Sequence, residues 1–282
     1  MKTLNEQMSV FDIILNHDTE TKIIEPPAVS EPVKTGKPKV GGDALCPYPI
    51  PTVEEIIKMI DQTSYRVNKS KLISNVFECG ALAISNAVDF TKYDEREKRY
   101  LEIINSYQPA EQKLIVNLFT KIFCLCSSVV YDDGVFGDYL GELFMKCNLG
   151  NKNAGQYFTP YNVSKMMAKI TITDDKIDKD EILTINDCCC GGGLLIAALD
   201  VLKNDYGVNY ARNCFIDAGD IDIRCVHMTY LQLSLAGVPA IVKHQDVFSR
   251  ELWSVWKTHT FIFQYHRFYK QYIPNSNNHL NL

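Results

Sequence analysis

The sequence lacks the two features that would direct the chain to a membrane or out of the cell. No run of about 18 uncharged apolar residues, the length that a membrane-spanning helix needs, occurs in it. Its first residues, Met1 to Gln7, carry neither the basic region nor the apolar stretch of a secretory signal. We therefore expect a cytoplasmic protein with no membrane partner.

The chain also has no excess of basic residues. It carries 29 Lys and Arg against 34 Asp and Glu, a formal net charge of −5. Nucleic-acid affinity rests largely on Lys and Arg that neutralise phosphates, so a basic surface over the whole protein is excluded. If DNA is a partner, the contacts must be local or supplied by another subunit.

None of the ten cysteines belongs to a Cys-x-x-Cys pair. Because the chain is long and has no secretory signal, we expect reduced thiols and not disulfides. Three cysteines are consecutive, at Cys188, Cys189 and Cys190. Adjacent residues cannot easily surround one tetrahedral ion, and no paired His or Cys spacing completes a ligand set. We interpret the three as packing residues and predict no metal site.

Hydrophobic residues make up 46% of the chain, which is enough for a sizeable core in one or two domains. Residues 1–16 have apolar residues at helical spacing, and 25–51 concentrate Pro, Gly, Lys and Glu as linkers do. Helical patterns then continue to about residue 149. The predicted organisation is an N-terminal segment and linker over 1–51, a helical domain over 52–150 and an α/β core over 151–282.

The predicted helical domain begins with a capping box. Thr52 and Glu55 have the spacing at which a hydroxyl and a carboxylate satisfy the free amides of a helix start. Helical periodicity predicts four further helices, at 72–88, 96–107, 111–130 and 136–147.

After residue 155 the pattern changes to alternating strands and helices. One apolar stripe predicts a helix that begins after Thr159 and Pro160, through Val163, Met166, Met167 and Ile170. Strands are then predicted at 182–185, 214–216, 240–242 and 260–263, and helices at 194–206 and 223–236. This order is typical of a parallel, doubly wound α/β sheet.

In such a sheet the ligand binds at the carboxyl ends of the strands. The first strand-to-helix turn, 187–193, ends in three glycines that let the backbone approach a ligand closely. Ile196 stands where a dinucleotide-binding loop needs its third glycine, and no Gly-Lys-Ser or Gly-Lys-Thr is present for a phosphate loop. A tight turn without a ligand is the alternative.

Acidic residues follow the first two predicted strands. Asp220, with Asp222 beside it, can accept hydrogen bonds from both hydroxyls of a ribose, and Asp187 suits a cationic amino group. An adenosine with a positively charged amino-acid tail is S-adenosylmethionine. The sequence therefore favours this cofactor over a nucleotide phosphate.

Four ordered motifs resemble those of N6-adenine DNA methyltransferases, in particular the modification subunits of restriction systems. Residues 155–160, Gly-Gln-Tyr-Phe-Thr-Pro, look like the family segment that contacts the methionine part of the cofactor. Residues 187–193 are similar to its Asp-Pro-Ala-Cys-Gly-Ser-Gly loop, with departures at Cys188 and Gly192. Asp220 falls at the ribose position and Asp246 near the adenine amino group. The resemblance covers about residues 52–250, because the helical segment also looks like the amino-terminal domain of type I modification subunits.

The resemblance implies a Rossmann-like S-adenosylmethionine-dependent methyltransferase sheet preceded by a helical domain. It implies S-adenosylmethionine as cofactor, DNA as partner, and specificity or restriction subunits as further partners. The cofactor-binding residues that it implies are Tyr157, Phe158, Thr159, Asp187, Cys190, Gly191, Gly193, Asp220 and Asp246.

The sequence departs from the family at the catalytic motif. The family places Asn-Pro-Pro and an aromatic residue after a further strand, to hold a target base that has been extruded from the duplex. Here the predicted strand 260–263 leads instead into Gln264 and Tyr265, the only candidates for these roles. Three hypotheses stay open: a DNA adenine-N6 methyltransferase, a cofactor-binding subunit or regulator from a mobile element without activity, and a methyltransferase with another acceptor.

Overall fold

The computed structural model describes residues 48–62, 67–131, 134–147, 157–177 and 182–264. The predicted N-terminal helix and most of the linker lie outside these residues. The described helices are α1 Val53–Asp61, α2 Lys69–Asn86, α3 Tyr93–Asn105, α4 Pro109–Ser127, α5 Tyr139–Lys146, α6 Tyr161–Thr171, α7 Gly193–Asn204, α8 Tyr210–Asn213, α9 Ile223–Leu235 and α10 His259–Phe263. The strands are β1 Leu183–Asp187, β2 Cys214–Asp220, β3 Ala240–Asp246 and β4 Glu251–Lys257, and short 3-10 turns occur at Phe90–Lys92, Ser128–Val130 and Asp174–Lys176.

The predicted capping box at the start of α1 is confirmed. The Glu55 amide donates to the Thr52 hydroxyl at 3.2 Å, and the Thr52 amide donates to the Glu55 carboxylate at 3.4 Å. These two bonds satisfy amides that a helix start leaves free. The apolar face that follows is buried, so the capped end orients α1 against its neighbours.

One stretch of the described chain, Pro109–Val130, is long and apolar enough to cross a membrane by length and composition alone. Within this stretch, 44% of the membrane-length window is buried inside the protein. The α4 part buries Ile115, Leu118 and Ile122 in the core. A core helix meets the same length and composition criterion, so one such helix carries little weight for a membrane.

A buried ion pair in the helical region is hydrogen-bonded to the sheet. The Arg96 guanidinium donates to the Asp89 carboxylate at 3.1 Å, and both side chains are only 8% exposed. The same guanidinium donates to the Val255 carbonyl at 3.2 Å and lies 4.7 Å from the Trp256 ring centroid. One hydrophobic core continues through both regions. The division into separate domains stays a prediction.

The sheet has the strand order β1-β2-β3-β4. The first three strands are parallel, as predicted, and alternate with α7 and α9. The prediction of a wholly parallel sheet is wrong, because β4 pairs antiparallel with β3 through a tight turn. Within the described residues the strand order does not reverse, so the doubly wound, Rossmann-like arrangement stays a prediction.

The two faces of the sheet are covered differently. Alternate residues of β2, Cys214, Ile216 and Ala218, face the main core with the long helices. Phe215 faces the other way, where the Phe261 ring of α10 lies 5.6 Å from it. The core therefore lies mainly on one side of the sheet, and a small apolar cluster covers the amino ends of the strands on the other.

The prediction of a strand at 260–263 is wrong. These residues belong to α10, where the Thr258 hydroxyl accepts from the Phe261 amide at 3.4 Å and caps the helix. A run of four apolar residues fits a buried strand or a turn of helix equally well, and here the cap decides.

The predicted apolar stripe of α6 is present, but it does not face the core. Its four side chains are between 41% and 70% exposed. The helix packs on α7 through its opposite side instead, where Ser164 and Ala168 are buried. Lys165 pairs with Asp200 at 2.7 Å and holds this orientation.

Candidate functional site

Two carboxylates lie side by side at the carboxyl edge of the parallel strands. Asp187 is the last residue of β1 and Asp220 is the last residue of β2. In the register of the two strands, Asp187 lies beside Ala218, two residues before Asp220. Since side chains alternate along a strand, Ala218 and Asp220 point to one face, and both acids reach the same corner of the sheet.

Backbone groups of the turn after β1 form hydrogen bonds with the adjacent strands and with α9. The Cys189 amide donates to the Asp187 carboxylate at 3.2 Å. The Cys190 amide donates to the Gly219 carbonyl on β2 at 2.9 Å, and the Cys190 carbonyl accepts from the Thr229 hydroxyl at 3.4 Å. Cys190 is buried as a packing residue, whereas Cys188 and Cys189 are exposed. The packing interpretation of the three cysteines is therefore wrong for two of them.

An aromatic ring covers the backbone of the turn at Gly191. A Cβ atom on Gly191 would lie 2.1 Å from Cε1 of Phe158, so no larger residue fits under the ring. Phe158 in turn packs edge-on against Phe144 of α5, with ring centroids 5.0 Å apart. The segment 157–160 is thus brought to the glycine turn. Tyr157 beside it is 72% exposed, and Thr159 is also exposed.

A buried acid that the sequence reasoning missed lies behind the turn. Asp138 accepts from the Gly141 amide, as the cap of α5, and from the Gln232 side-chain amide, each at 3.0 Å. A Cβ on Gly193 would meet the Asp138 carboxylate at 2.6 Å. At Gly192, where φ is +92°, a Cβ would meet the Gln232 amide at 2.7 Å. In the sequence, Asp138 is recognisable only as a residue suited to cap α5. Nothing in the sequence indicates that it also contacts the glycine turn after β1.

Burial sets the electrostatics of the three acids. It raises the pKa of Asp138 to about 6, and it also raises the pKa of Asp187. Burial, with the charges of Asp222 and Asp187 nearby, raises the pKa of Asp220 to about 6. Among the described residues, no Lys or Arg forms an ion pair with Asp187 or Asp220. These two carboxylates are therefore suited to hydroxyl donors or a cationic group from a ligand.

Two other acids near this edge, Asp222 and Asp246, form hydrogen bonds with residues that follow them closely in the chain. Asp222 caps α9 by accepting from the Arg224 amide at 2.9 Å and pairs with the Arg224 guanidinium at 2.6 Å. Asp246 ends β3 and accepts from the amides of Phe248 at 2.9 Å and Ser249 at 3.3 Å, which lowers its pKa. Asp246 lies at the expected strand end, and these two hydrogen bonds lie within the β3–β4 turn.

Two exposed apolar residues at this edge were also missed. Ile221, directly after Asp220, is 63% exposed, and Phe248, two residues after Asp246, is 98% exposed. The sequence signal for both was an apolar residue just beyond a strand-end acid. Ligand pockets are lined mostly by apolar and aromatic side chains with a few placed polar groups, so both residues are candidates for ligand contacts.

The catalytic candidate Gln264 lies at the opposite edge of the sheet. Its side-chain amide donates to the Ala211 carbonyl at 3.1 Å. Ala211 belongs to α8, which comes directly before the first residue of β2, at the amino end of that strand. Gln264 is therefore separated from Asp187 and Asp220 by the length of the strands. Tyr265 lies outside the described residues.

The fold and this edge agree with the comparison with protein families. The model of the family described as N-6 DNA Methylase matches residues 132–280, just over half of the chain. The comparisons with curated proteins and with solved structures gave no match. The matched part contains the glycine turn, all three strand-end acids and the Phe158 segment. The chain therefore belongs to the N-6 DNA methylase family.

Proposed function

We propose that this chain binds S-adenosylmethionine at the carboxyl edge of its sheet and serves as a modification subunit that methylates adenine N6 in DNA. The observation that carries the proposal is the pair Asp187 and Asp220, two partly buried carboxylates without an ion-pair partner among the described residues, on either side of a glycine turn. The bound cofactor would supply an electrophilic methyl group on a sulfonium. Residues of the chain bind and orient it.

Each residue has a role that its surroundings support. Asp220 accepts hydrogen bonds from the ribose hydroxyls, and Asp187 accepts from the cationic amino group. Charge-assisted hydrogen bonds of this kind contribute about 1.5–3 kcal/mol each. Gly191 and Gly193 let the backbone approach the ligand, and Cys190 anchors the turn to β2.

Aromatic and apolar groups complete the proposed site. Phe158 fixes the turn by covering Gly191, and its neighbours Tyr157 and Thr159 are exposed. In this proposal these two neighbours contact the methionine part of the cofactor. Ile221 and Phe248 supply apolar contacts for the adenine ring, with Asp246 near its amino group. Apolar walls with a few placed acceptors are typical of cofactor pockets.

The acceptor is proposed from the family. A target adenine must leave the duplex before its amino group can align with the methyl donor, which costs a few kcal/mol of unstacking. The chain has a net charge of −5 and no basic excess to hold the DNA backbone. We therefore propose that a specificity subunit supplies much of the DNA contact.

The position of Gln264 favours a second function. In this alternative the chain binds the cofactor but does not itself transfer the methyl group. The Gln264 side-chain amide is engaged with Ala211 at the amino edge. A group at that edge cannot hold a base beside a methyl donor at the carboxyl edge. On this reading the chain is a cofactor-binding subunit or regulator in a mobile element.

Calorimetric titration with S-adenosylmethionine tests the shared part of both functions. We expect saturable binding of one equivalent that Asp220→Asn weakens about tenfold or more, through loss of charge-assisted bonds. Asp217→Asn is the matched control, because Asp217 lies on the same strand and pairs with Lys243 at 2.7 Å. No binding by the unaltered protein, or equal effects of both variants, would refute the proposal.

Methyl transfer then separates the two functions. The protein is incubated with DNA and a methyl-labelled cofactor, alone and with a specificity subunit, and the nucleosides are analysed by mass spectrometry. Labelled N6-methyladenine supports the first function. Saturable cofactor binding without label in either condition supports the second, and label in another base or in protein would contradict both.

A further inference from the structure

The two exposed thiols of the glycine turn have no role in the site described above. Cys188 and Cys189 are consecutive residues at the tip of the turn, and both are exposed. Cys190 is buried and belongs to the core. The turn therefore presents one accessible pair of neighbouring thiols.

The pair lies in front of the two strand-end acids. The Cys189 amide donates to the Asp187 carboxylate at 3.2 Å. Burial, the hydrogen bond with Cys188 and the charges of Asp220 and Asp187 raise the pKa of the Cys189 thiol. Cys188 and Cys189 also follow Asp187 directly in the chain, so the thiols lie beside the strand end that carries this acid. A group bonded to the two sulfurs would occupy space between the acids and solvent.

The spacing of neighbouring residues favours a bridging atom over a disulfide. Consecutive Cα atoms are about 3.8 Å apart across a trans peptide, whereas disulfides usually join Cα atoms about 4.4–6.8 Å apart. A single atom bonded to both sulfurs places two bonds between them, each about 2.3 Å long in the case of zinc. The two sulfurs therefore stay farther apart than in a disulfide. Among the described residues no cluster of three or more His, Cys, Asp or Glu is arranged for a metal ion. The two thiols are therefore better suited to a ligand that binds through two sulfurs than to a metal ion that needs three or more protein ligands.

We propose that Cys188 and Cys189 form a two-thiol site for trivalent arsenic compounds, and that its occupation excludes the cofactor. The exclusion rests on the proposed function, while the two-thiol site does not. With phenylarsine oxide, both S–H bonds and the arsenic–oxygen bond break, and two arsenic–sulfur bonds form. The oxygen leaves as water with both thiol protons. Arsenic stays trivalent, so no oxidant or reductant is required.

Intact-mass measurement of the full chain with one equivalent of phenylarsine oxide tests the site. We expect one adduct, mapped to the peptide that contains both thiols, which a dithiol removes and a monothiol does not. Cys188→Ser and Cys189→Ser should each weaken binding by about 100-fold or more, because the second bond is intramolecular. Serine at Cys46, Cys124 and Cys147 together is the matched control and should change nothing. Full binding by Cys188→Ser, or an adduct on the control cysteines, would overturn the site.

Calorimetry tests the exclusion with the same proteins. The arsenical adduct should abolish binding of S-adenosylmethionine, and saturating cofactor should slow adduct formation about tenfold, since either ligand then occupies the shared space. Cys188→Ser and Cys189→Ser should still bind the cofactor and should resist the arsenical. Unchanged cofactor binding by the adduct overturns the exclusion. Adduct formation in a protein that never binds the cofactor would refute the proposed function and leave the two-thiol site standing.

Discussion

The side-chain amide of Gln232 donates to the carboxylate of Asp138 at 3.0 Å, and both groups press against the start of α7 behind the glycine turn. Asp138 comes from the region before the sheet and Gln232 from α9. The turn that carries the proposed cofactor site is thus supported from behind by two elements distant in sequence. Substitutions that remove this support should lower the free energy of unfolding by a measurable amount.

We expect Asp138→Ala to lower the free energy of unfolding by about 1–3 kcal/mol, because it leaves the buried Gln232 amide without its acceptor. Urea denaturation measures the change. Asp138→Asn keeps an acceptor oxygen and should lose less. Equal losses from both variants would contradict the stabilising role of this acceptor oxygen.

The stability of the protein should also depend on the protonation of Asp138. Its pKa is raised from 3.8 to about 6 in the folded protein, so the folded state binds the proton more tightly than the unfolded state. Stability should therefore fall as pH rises from about 4 to about 6 and stay level above that. Denaturation at several pH values, compared with Asp138→Asn, isolates this group from Asp187 and Asp220. The opposite slope of the difference would contradict the prediction.

Cofactor affinity should fall in acid, because the proposed hydrogen bonds need an ionised Asp220. With a pKa of about 6 in the free protein, about one molecule in ten is ionised at pH 5, so affinity should drop about tenfold from pH 7.5. Titration calorimetry across this range measures it. Asp220→Asn should bind weakly with a flatter profile, and Asp217→Asn should keep the original one. A profile that is the same in all three proteins would exclude Asp220 as the acceptor.

Gly191→Ala should displace the Phe158 ring, because the added carbon would lie 2.1 Å from it. Overpacking of this kind costs about 1–3 kcal/mol, and cofactor binding should weaken with it. The double variant with Phe158→Leu makes room and should recover part of both losses. Thermal unfolding and calorimetry measure the two quantities. Additive losses in the double variant would show that the ring and the glycine are not coupled.

Arg96→Met should lower the free energy of unfolding by about 3–5 kcal/mol, since it leaves the buried Asp89 carboxylate unpaired. The exposed pair Lys92–Glu95 is the control, and Lys92→Ala should cost less than about 1 kcal/mol. Because Arg96 also contacts β4, the helical region and the sheet should unfold in one transition. Two separate transitions in the unaltered protein would contradict a shared core.

Much of the fold was predictable where one segment determines its own structure. The capping box of α1 and the alternation from β1 to β3 follow from local spacing. β4 was missed because its pairing depends on a tight turn and a partner strand, and its charged and aromatic residues give no clear alternation. The four residues 260–263 carry no helical or strand period, so the sequence predicts a strand where the structure has the helix α10.

The residues of the candidate site also fall into those that local sequence predicts and those that only tertiary packing determines. Asp187 and Asp220 were predictable, because acids at strand ends meet whenever the strands are parallel neighbours. Asp138 was not, since its contact with the turn arises only from packing between distant helices. The stripe of α6 shows a related limit, as periodicity identifies an amphipathic helix but not which neighbour covers it. Small residues and the Lys165–Asp200 pair decided that orientation.

The bond from the Cys190 amide to the Gly219 carbonyl fixes the length of the turn. One inserted or deleted residue would move this amide out of reach and rotate the first turn of α7. Outward side chains at 188 and 189 do not take part in that bond. Substitutions at these two positions therefore leave the length of the turn unchanged. Thiols can be gained or lost there during evolution while the backbone keeps its conformation.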